Sequence, residues 1–408
     1  MLRRIFLILL CLVLAVVTLG GGLLGFLAWS PDTLKPLVER VASAQLGREV
    51  RIDGPIRISP GRISTVEIHG LRVAAPEWAA ADNLAEIQRV KVGLDLAGYV
   101  RERSLHLTEV EVEAPRVALE RDAQGRTSWP EATEPEPAEA DEPGPTGLPR
   151  IDALTVAGGH IDYRDAIADV QFAADVATRP IDGGSTPSLV VEGSGTLRGD
   201  PIEVALQVGT SALAGEGGGP LPLDGRAVLA GTAVTLSGEV RDPAALDGID
   251  LALDVTSEDP RPLLELAGRP VEAELPPFEA HARLLRGEGA FELDELRASW
   301  GASRLEGRLS YDPTAQPPQI RGRLMAPMLD LVPVWPVLTA GEEEPPSMEN
   351  PLSALAGYDV DLEIGTGEVR LPQLTLAETA ARARIADDRL TVEPLRVRLP
   401  AGEIGGRV

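Results

Sequence analysis

Past residue 48 the chain keeps returning to one local pattern, an aliphatic residue at every second position with charged or small polar residues between. "REVRID" (48–53) puts Val50 and Ile52 on one side and Glu49, Arg51 and Asp53 on the other. "RVKVGLDL" (89–96) sets Val90, Val92, Leu94 and Leu96 against Arg89, Lys91 and Asp95. Successive side chains of a β-strand point to opposite faces, so a period of two marks a strand with one apolar side. "TVEIHGLRV" (65–73), "LHLTEVEVE" (105–113) and "PRVALER" (115–121), with Val117 and Leu119, repeat the pattern. In the second of these, Leu107 and Val110 are out of phase, which predicts a bulge near Thr108. Each such strand must bury one face, and this constrains the chain to a mainly β fold with few short helices.

The N-terminus obeys a different rule. Ile5 to Trp29 carry no charge over 25 positions, enough helix to cross about 30 Å of hydrocarbon. Arg3 and Arg4 precede the run, so the N-terminus is expected to stay cytoplasmic and the rest to be translocated. A cleaved signal peptide fits less well, because its apolar core is about 7–15 residues long and ends at small residues. Here Phe26 and Pro31 spoil the nearest cleavage positions. Cys11, the only cysteine, lies inside the run, so no disulfide can form within one chain.

After this anchor, Leu34, Leu37, Val38, Val41 and Ala42 recur at helical spacing and Gly47 closes the segment, predicting an amphipathic helix over 34–46. It would lie at the bilayer surface or pack on the sheet, and packing is the better reading. Shorter helices are expected over 79–88, 260–268 and part of 328–338. "DAQGRTSW" (122–129) reads as a turn around Gly125. Residues 130–147 hold no basic and no large apolar residue, the composition of a solvated spacer.

Beyond it, "GTAVTLSGEVRDP" (231–243) resembles "GASRLEGRLSYDP" (301–313), with a one-residue slip, at a spacing of about 70 residues. More alternation follows each copy, at Ile249, Leu251, Leu253 and Val255 and at Ile320 and Leu324. The expected organisation is therefore a cytoplasmic stub and anchor (1–30), an N-terminal β-unit with its helix (31–129), an acidic Pro-rich linker (130–148) and repeated β-units (149–408). The closing "LRVRLPAGEIGGRV" has no polar cap, so further chain or a partner is expected to cover that strand edge.

Few residues suggest chemistry. A net charge of −25 argues against nucleic acid as a partner, which calls for a basic surface, and against adhesion to anionic lipid through a basic patch. His69, His106, His160 and His281 stand apart without metal-ligand spacing, and read as strand surface residues. "GSGTLRG" (193–199) has the glycines of a phosphate loop but no helix to follow, so it reads as a turn. Glu109, Glu111 and Glu113 alternate as solvated positions do. No catalytic residue, metal or cofactor is expected, and an enzyme is not.

Several of these stretches, in this order, resemble the AsmA family of envelope proteins. They are the single N-terminal span, "LGREVRIDG" (46–54), "LRVAAPEW" (71–78), "LAEIQRVKVGLDLAGYV" (84–100), "LTEVEVEAPRVALERDAQGRTSW" (107–129) and "IDALTVAGGHIDYRD" (151–165). "LLELAGRPVEAELPPFEAHARLLRG" (263–287), "WGASRLEGRL" (300–309) and "DRLTVEPLRVRLPAGEIGGRV" (388–408) fit as well. Thr127-Ser128-Trp129 departs from the pattern, which has Asn before the Trp. The resemblance implies an inner-membrane anchor, a periplasmic body in a Gram-negative bacterium, and a role in outer-membrane biogenesis, including targeting or assembly of outer-membrane proteins. Related members are regarded as bridge-like lipid carriers with a long β-groove.

The open question is what the apolar strand faces meet. Either two sheets face each other, or one curled antiparallel sheet built from repeated units encloses an aliphatic groove. Aromatic residues make up only 3% of the chain although they normally supply much of a packed core, which with the resemblance favours the groove. Val50, Ile52, Val90, Val92, Leu94, Leu96, Val117 and Leu119 are then the candidate lipid-lining residues, with Ile5 and Trp29 as the ends of the anchor. The expected partners are phospholipid acyl chains, the inner membrane and outer-membrane assembly factors. The alternative is a periplasmic β-scaffold that docks envelope assembly factors without carrying lipid.

Overall fold

The computed structural model describes residues 35–95, 106–129, 150–180, 187–210, 220–242, 247–266, 271–287, 289–335, 358–386, 389–392, 395–399 and 402–406. The anchor run Ile5–Trp29, Leu96 and the acidic segment 130–148 lie outside them. Among the described residues no helix is long and apolar enough to cross a membrane. The chain divides into two compact units, Met1–Gly219 and Pro220–Val408.

The N-terminal unit opens with helix α1 (Lys35–Leu46), which buries Val38, Ala42 and Leu46 at the i, i+4, i+8 spacing of one helical face. Gly47, with φ +62°, ends it in the left-handed conformation that a residue without Cβ adopts most readily. Strands β1 (Val50–Ile52) and β2 (Ile56–Ser59) both pair with β3 (Ser64–Ala74). The free edge of β1 is covered by the helix: Val50 N donates to Ser43 Oγ at 2.9 Å and Ile52 N to Glu39 Oε1 at 2.8 Å. Backbone donors that would invite another strand are satisfied there.

Strand β4 (Asn83–Leu94) pairs with β3, with β5 (His106–Glu113) and with β6 (Arg116–Arg121). The helix expected over 79–88 is not formed, because β4 already begins at Asn83. Leu84, Ile87 and Val90 are all buried, and that three-residue spacing imitates a helix. Its cause is a phase change shared by the two strands, at Gly70 (φ +65°) in β3. The bulge at Thr108 is present: Gly93 opposes Glu109 and Leu94 opposes Leu107, leaving Thr108 without a partner in the ladder.

Beyond the acidic segment come β7 (Arg150–Ile151), β8 (Leu154–Ala157), β9 (Gly159–Asp165), β10 (Val170–Pro180), β11 (Pro187–Leu197) and β12 (Asp200–Gly209). β7 and β8 pair with β5, and β9 with β6, all parallel. β9 to β12 then run as antiparallel neighbours. The sheet is thus mixed, where the sequence pattern predicts an antiparallel one. Parallel neighbours need a crossover of a dozen or more residues, and residues 122–149 supply it. Strands from both sides of 130–148 pair, so that segment joins one sheet. In "GSGTLRG", Gly193 to Leu197 belong to β11, and Arg198-Gly199 form the hairpin turn with φ of 52° and 88°.

The C-terminal unit contains β13 (Leu221–Leu229), β14 (Thr232–Asp242), β15 (Asp247–Ser257), α2 (Arg261–Leu266), β16 (Phe278–Gly287), β17 (Ala290–Trp300), β18 (Ser303–Asp312) and β19 (Gln319–Asp330). After them come β20 (Asp359–Leu371), β21 (Leu374–Ala386), β22 (Arg389–Val392), β23 (Leu395–Leu399) and β24 (Gly402–Gly406). β13 to β19 are consecutive antiparallel neighbours. β20 joins β19 in parallel and pairs antiparallel with β21. Of the segment 328–338, expected to be helical in part, Met328 to Asp330 complete β19 and a turn follows from Val332.

The repeat has a structural basis. Ala230-Gly231 joins β13 to β14 and Gly301-Ala302 joins β17 to β18, both as two-residue turns. Ala230 and Gly231 have φ of 50° and 77°, whereas Gly301 has φ 54° and comes first in its turn. Hairpins of the first kind want positive φ at both centres and those of the second a glycine in front. The glycines therefore occupy different turn positions, the second centre in one hairpin and the first in the other. The next residue is a buried hydroxyl in each copy. Thr232 Oγ1 donates to Ser257 Oγ at 2.9 Å, and Ser303 Oγ donates to Asp330 O at 3.1 Å.

Asp165, at the end of β9, is 4% exposed. It accepts hydrogen bonds from Ile167 N and Ala168 N at 2.9 Å, Tyr163 Oη at 3.1 Å and Arg121 Nη1 at 3.3 Å. Burial pushes its carboxyl up, but these donors outweigh burial and hold it below the ordinary value. A depressed carboxylate stabilises the fold above its unfolded pKa, about 3.9, and that stability disappears as pH falls through the folded value. Asp165→Ala is expected to cost about 2–4 kcal/mol at pH 7. In urea titrations the gap between wild type and variant should shrink at pH 3. An equal gap at both pH values would assign the loss to packing alone.

Candidate functional site

The structure sorts the predicted lipid-lining residues. Val50, Ile52, Val90, Val92, Leu94 and Leu119 are each 2–5% exposed and belong to one hydrophobic core with Val38, Ala42 and Leu46 of α1, Trp129 and Ile151. A core this closed leaves no surface for an acyl chain, so for these six the expectation is corrected. Helix α1, expected to pack on the sheet, does so and closes this face together with the sheet's own strands. Val117 is partly buried at the margin of this core.

From that margin an apolar face continues through the register. Val117 lies beside Ile161, which opposes Ala174, Gly193 and Val204 in turn. Leu119 leads likewise through Tyr163, Phe172 and Gly195 to Ile202. On β12, Ile202, Val204, Leu206 and Val208 keep partial exposure, while Glu203, Ala205 and Gln207 between them are exposed.

The C-terminal unit carries the larger surface of this kind. Leu223, Gly238, Leu251, Leu284, Leu293, Leu309, Gly322 and Leu362 stand opposite one another in a single row across the eight strands β13–β20. On one side run Leu236, Leu253 and Ala282, with Leu296, Gly307, Leu324 and Ile364 beyond the β16–β17 bulge. Next to them lie Ala227, Val234, Val255, Ala280, Ala298 and Leu305. Of the row's six leucines only Leu251 is buried. These side chains form one face of a sheet that the described residues leave half covered.

Glycines shape that face. A methyl group on Gly322 would run into Leu309 Cδ2 and lie 3.1 Å from Leu362 Cδ2, and one on Gly307 would lie 3.0 Å from Leu324 Cδ2. The leucines thus fold down over the glycines and smooth the surface. At about 4.8 Å per strand the row is about 34 Å long, and three adjacent rows span about 14 Å along the strands. An extended acyl chain fills about 15 Å, half the hydrocarbon thickness of a bilayer.

The opposite face is wet. Arg283 pairs with Asp250 at 2.7 Å, His281 with Asp254 at 2.8 Å, Arg323 with Glu363 at 2.7 Å and Arg382 with Asp361 at 2.6 Å. Exposed pairs such as these contribute about 0–1 kcal/mol each, so they mark orientation more than stability. In the N-terminal unit Lys91 Nζ donates to Glu109 and Glu111 at 2.8 and 3.0 Å, and Arg89 Nε to Glu113 at 2.7 Å. The three glutamates that alternate in sequence are thereby an ion-pair ladder, and the hydrogen bonds to Glu109 and Glu111 raise the Lys91 pKa. All four histidines are strand residues beside a carboxylate: His69 with Glu67, His106 with Asp152, His160 with Asp175 and His281 with Asp254. Among the described residues no group of His, Cys, Asp and Glu could hold a metal ion.

The leucines at 251 and 253 and the "LEGRL" stretch were visible as strand alternation. Their assembly into one face depends on pairing partners that alternation does not specify.

Comparison with known proteins gives a family match. The AsmA family model matches residues 1–252. The AsmA family protein YhjG of Escherichia coli (strain K12) is 22% identical over 342 residues, covering 75% of this chain. The chain spans about half, 49%, of the length of that curated relative. No solved structure matches. With well over half of its residues inside the family match, the chain belongs to the AsmA family.

Proposed function

We propose that this protein is a non-enzymatic envelope component that holds phospholipid acyl chains on the aliphatic face of its C-terminal sheet, in support of outer-membrane biogenesis. The observation that carries the reading is the half-covered row from Leu223 to Leu362, backed on its other side by ion pairs. An apolar face of this extent exposed to water has a cost proportional to its area, and acyl chains would remove it. AsmA membership supports an envelope-related function. Ile5–Trp29 is proposed as a single inner-membrane span, with Arg3 and Arg4 keeping the N-terminus cytoplasmic and the β-units in the periplasm. The test is native mass spectrometry of the detergent-extracted full chain. Phospholipid adducts that survive removal of detergent are expected. A chain free of lipid under conditions that preserve its fold would reject acyl-chain binding and favour a scaffold that docks assembly factors.

A further inference from the structure

In the N-terminal unit the hairpin of β2 and β3 runs past the start of α1. Val50 is held by Ser43 and Ile52 by Glu39, so the helix lies antiparallel to β1 and each step up the strand moves back toward Lys35. From Ile52 to Ser59 the chain advances about 20 Å along β3, whereas Lys35 lies only about 6 Å beyond Glu39. The β2–β3 turn therefore projects about 14 Å past the helix. Pro60, Gly61, Arg62 and Ile63 in this turn are all exposed, Ile63 to 47%. Buried Ser64 fixes the turn from beneath: its Oγ donates to Gly61 O at 3.2 Å and accepts from Gly61 N at 3.4 Å. Residues 54–66 hold two arginines and no acid. Arg57 pairs with Glu67 at 3.8 Å and with the His69 ring at 3.0 Å. Arg62 forms no ion pair or hydrogen bond among the described residues. Asp95, next to Leu94 across the ladder from Ser64, has an interaction of its own.

We propose that this turn is a second contact with the bilayer, in which Ile63 enters the boundary between headgroups and acyl chains and Arg62 takes a lipid phosphate. The inference rests on the anchor proposed for Ile5–Trp29 and adds an orientation to it. From Trp29 to Lys35 the chain takes six steps, at most about 22 Å when fully extended, so the start of α1 stays close to the bilayer that the anchor enters. The turn projects beyond that start by a comparable distance, which puts the bilayer surface within its reach. A chain with a net charge of −25 is repelled by an anionic surface. Contact therefore calls for a stretch that carries base and no acid. An apolar side chain beside a basic one is the pairing that interfacial segments use. One isoleucine and one arginine bind weakly in isolation, but a tethered contact forms at the high effective concentration its tether sets. Ile167, 53% exposed in the β9–β10 turn at the opposite end of the strands, is flanked by Asp165 and Asp169 instead.

The experiment uses the full chain in a Cys11→Ser background, with Ile63→Cys or Ile167→Cys labelled by the polarity-sensitive dye NBD. Each protein is reconstituted in vesicles of phosphatidylethanolamine and phosphatidylglycerol, with or without lipid bearing a shallow doxyl quencher. At position 63 the emission should shift to the blue and fall about threefold with the quencher, and at position 167 neither should occur. Arg62→Glu should remove most of the quenching at position 63, and Arg62→Lys should keep it. A label at 63 that behaves like the one at 167, in a chain that resists carbonate extraction, overturns the contact and leaves the anchor standing. A chain extracted by carbonate overturns both. Blue-shifted emission without quenching also overturns the bilayer contact, because protein then covers the turn. Quenching unchanged in Arg62→Glu overturns the phosphate contact.

Discussion

Leu94→Glu is expected to unfold the N-terminal unit. Leu94 is 4% exposed and pairs with Ser64 on β3 and Leu107 on β5 inside the core closed by α1. A carboxylate there sits in a hydrophobic core, so it must be desolvated or take up a proton, and the leucine's own burial is lost as well. The combined cost is at least about 4 kcal/mol, a large share of the roughly 5–15 kcal/mol that stabilises a domain. The variant should fail to accumulate in membranes, whereas Leu94→Met, which nearly conserves volume, should accumulate normally with a loss of under about 1.5 kcal/mol. Normal levels of Leu94→Glu with a native proteolysis pattern would show that this face is open to solvent or ligand.

Leu309→Glu is expected to do the opposite, to spare the fold and remove the lipid. Leu309 stands between Leu293 and Gly322 in the half-covered row. In the free protein a glutamate at this position reaches water, and the loss of stability should be about 1 kcal/mol or less. Beneath acyl chains the same carboxylate must be desolvated at a cost of several kcal/mol. With each 1.4 kcal/mol worth a factor of ten, phospholipid retained per protein should fall by about 100-fold. Function in cells should be lost at unchanged protein level. Leu309→Met should retain lipid and activity. The pair Leu94 and Leu309, both leucines at apolar strand positions, thus separates a packed core from a ligand surface by outcome alone.

Both positions look alike in the sequence, which shows where sequence reasoning stops. Local features were legible wherever neighbours in the chain decide them. The Thr108 bulge follows from the phase of Leu107 against Val110, α1 from its i, i+4 spacing, and the turn at 122–126 from Gly125. Features set by distant partners were not. The parallel pairs β5–β8, β6–β9 and β19–β20 depend on where long crossovers deliver the chain. Whether Val50 meets a covering layer depends on the placement of α1, which packs on β1. Leu84 and Ile87 imitated a helix because two strands change phase together at Gly70.

The central claim, that acyl chains occupy one face of the C-terminal sheet, is tested most directly by contact. A photoreactive benzoylphenylalanine is placed at Leu309 or, one residue away on the other face, at Arg308, which opposes Arg323. The full chain is irradiated in native membranes and its adducts are identified by mass. The account predicts phospholipid adducts at position 309 and none at position 308. Equal labelling at the two positions, or only protein adducts at 309, would contradict it.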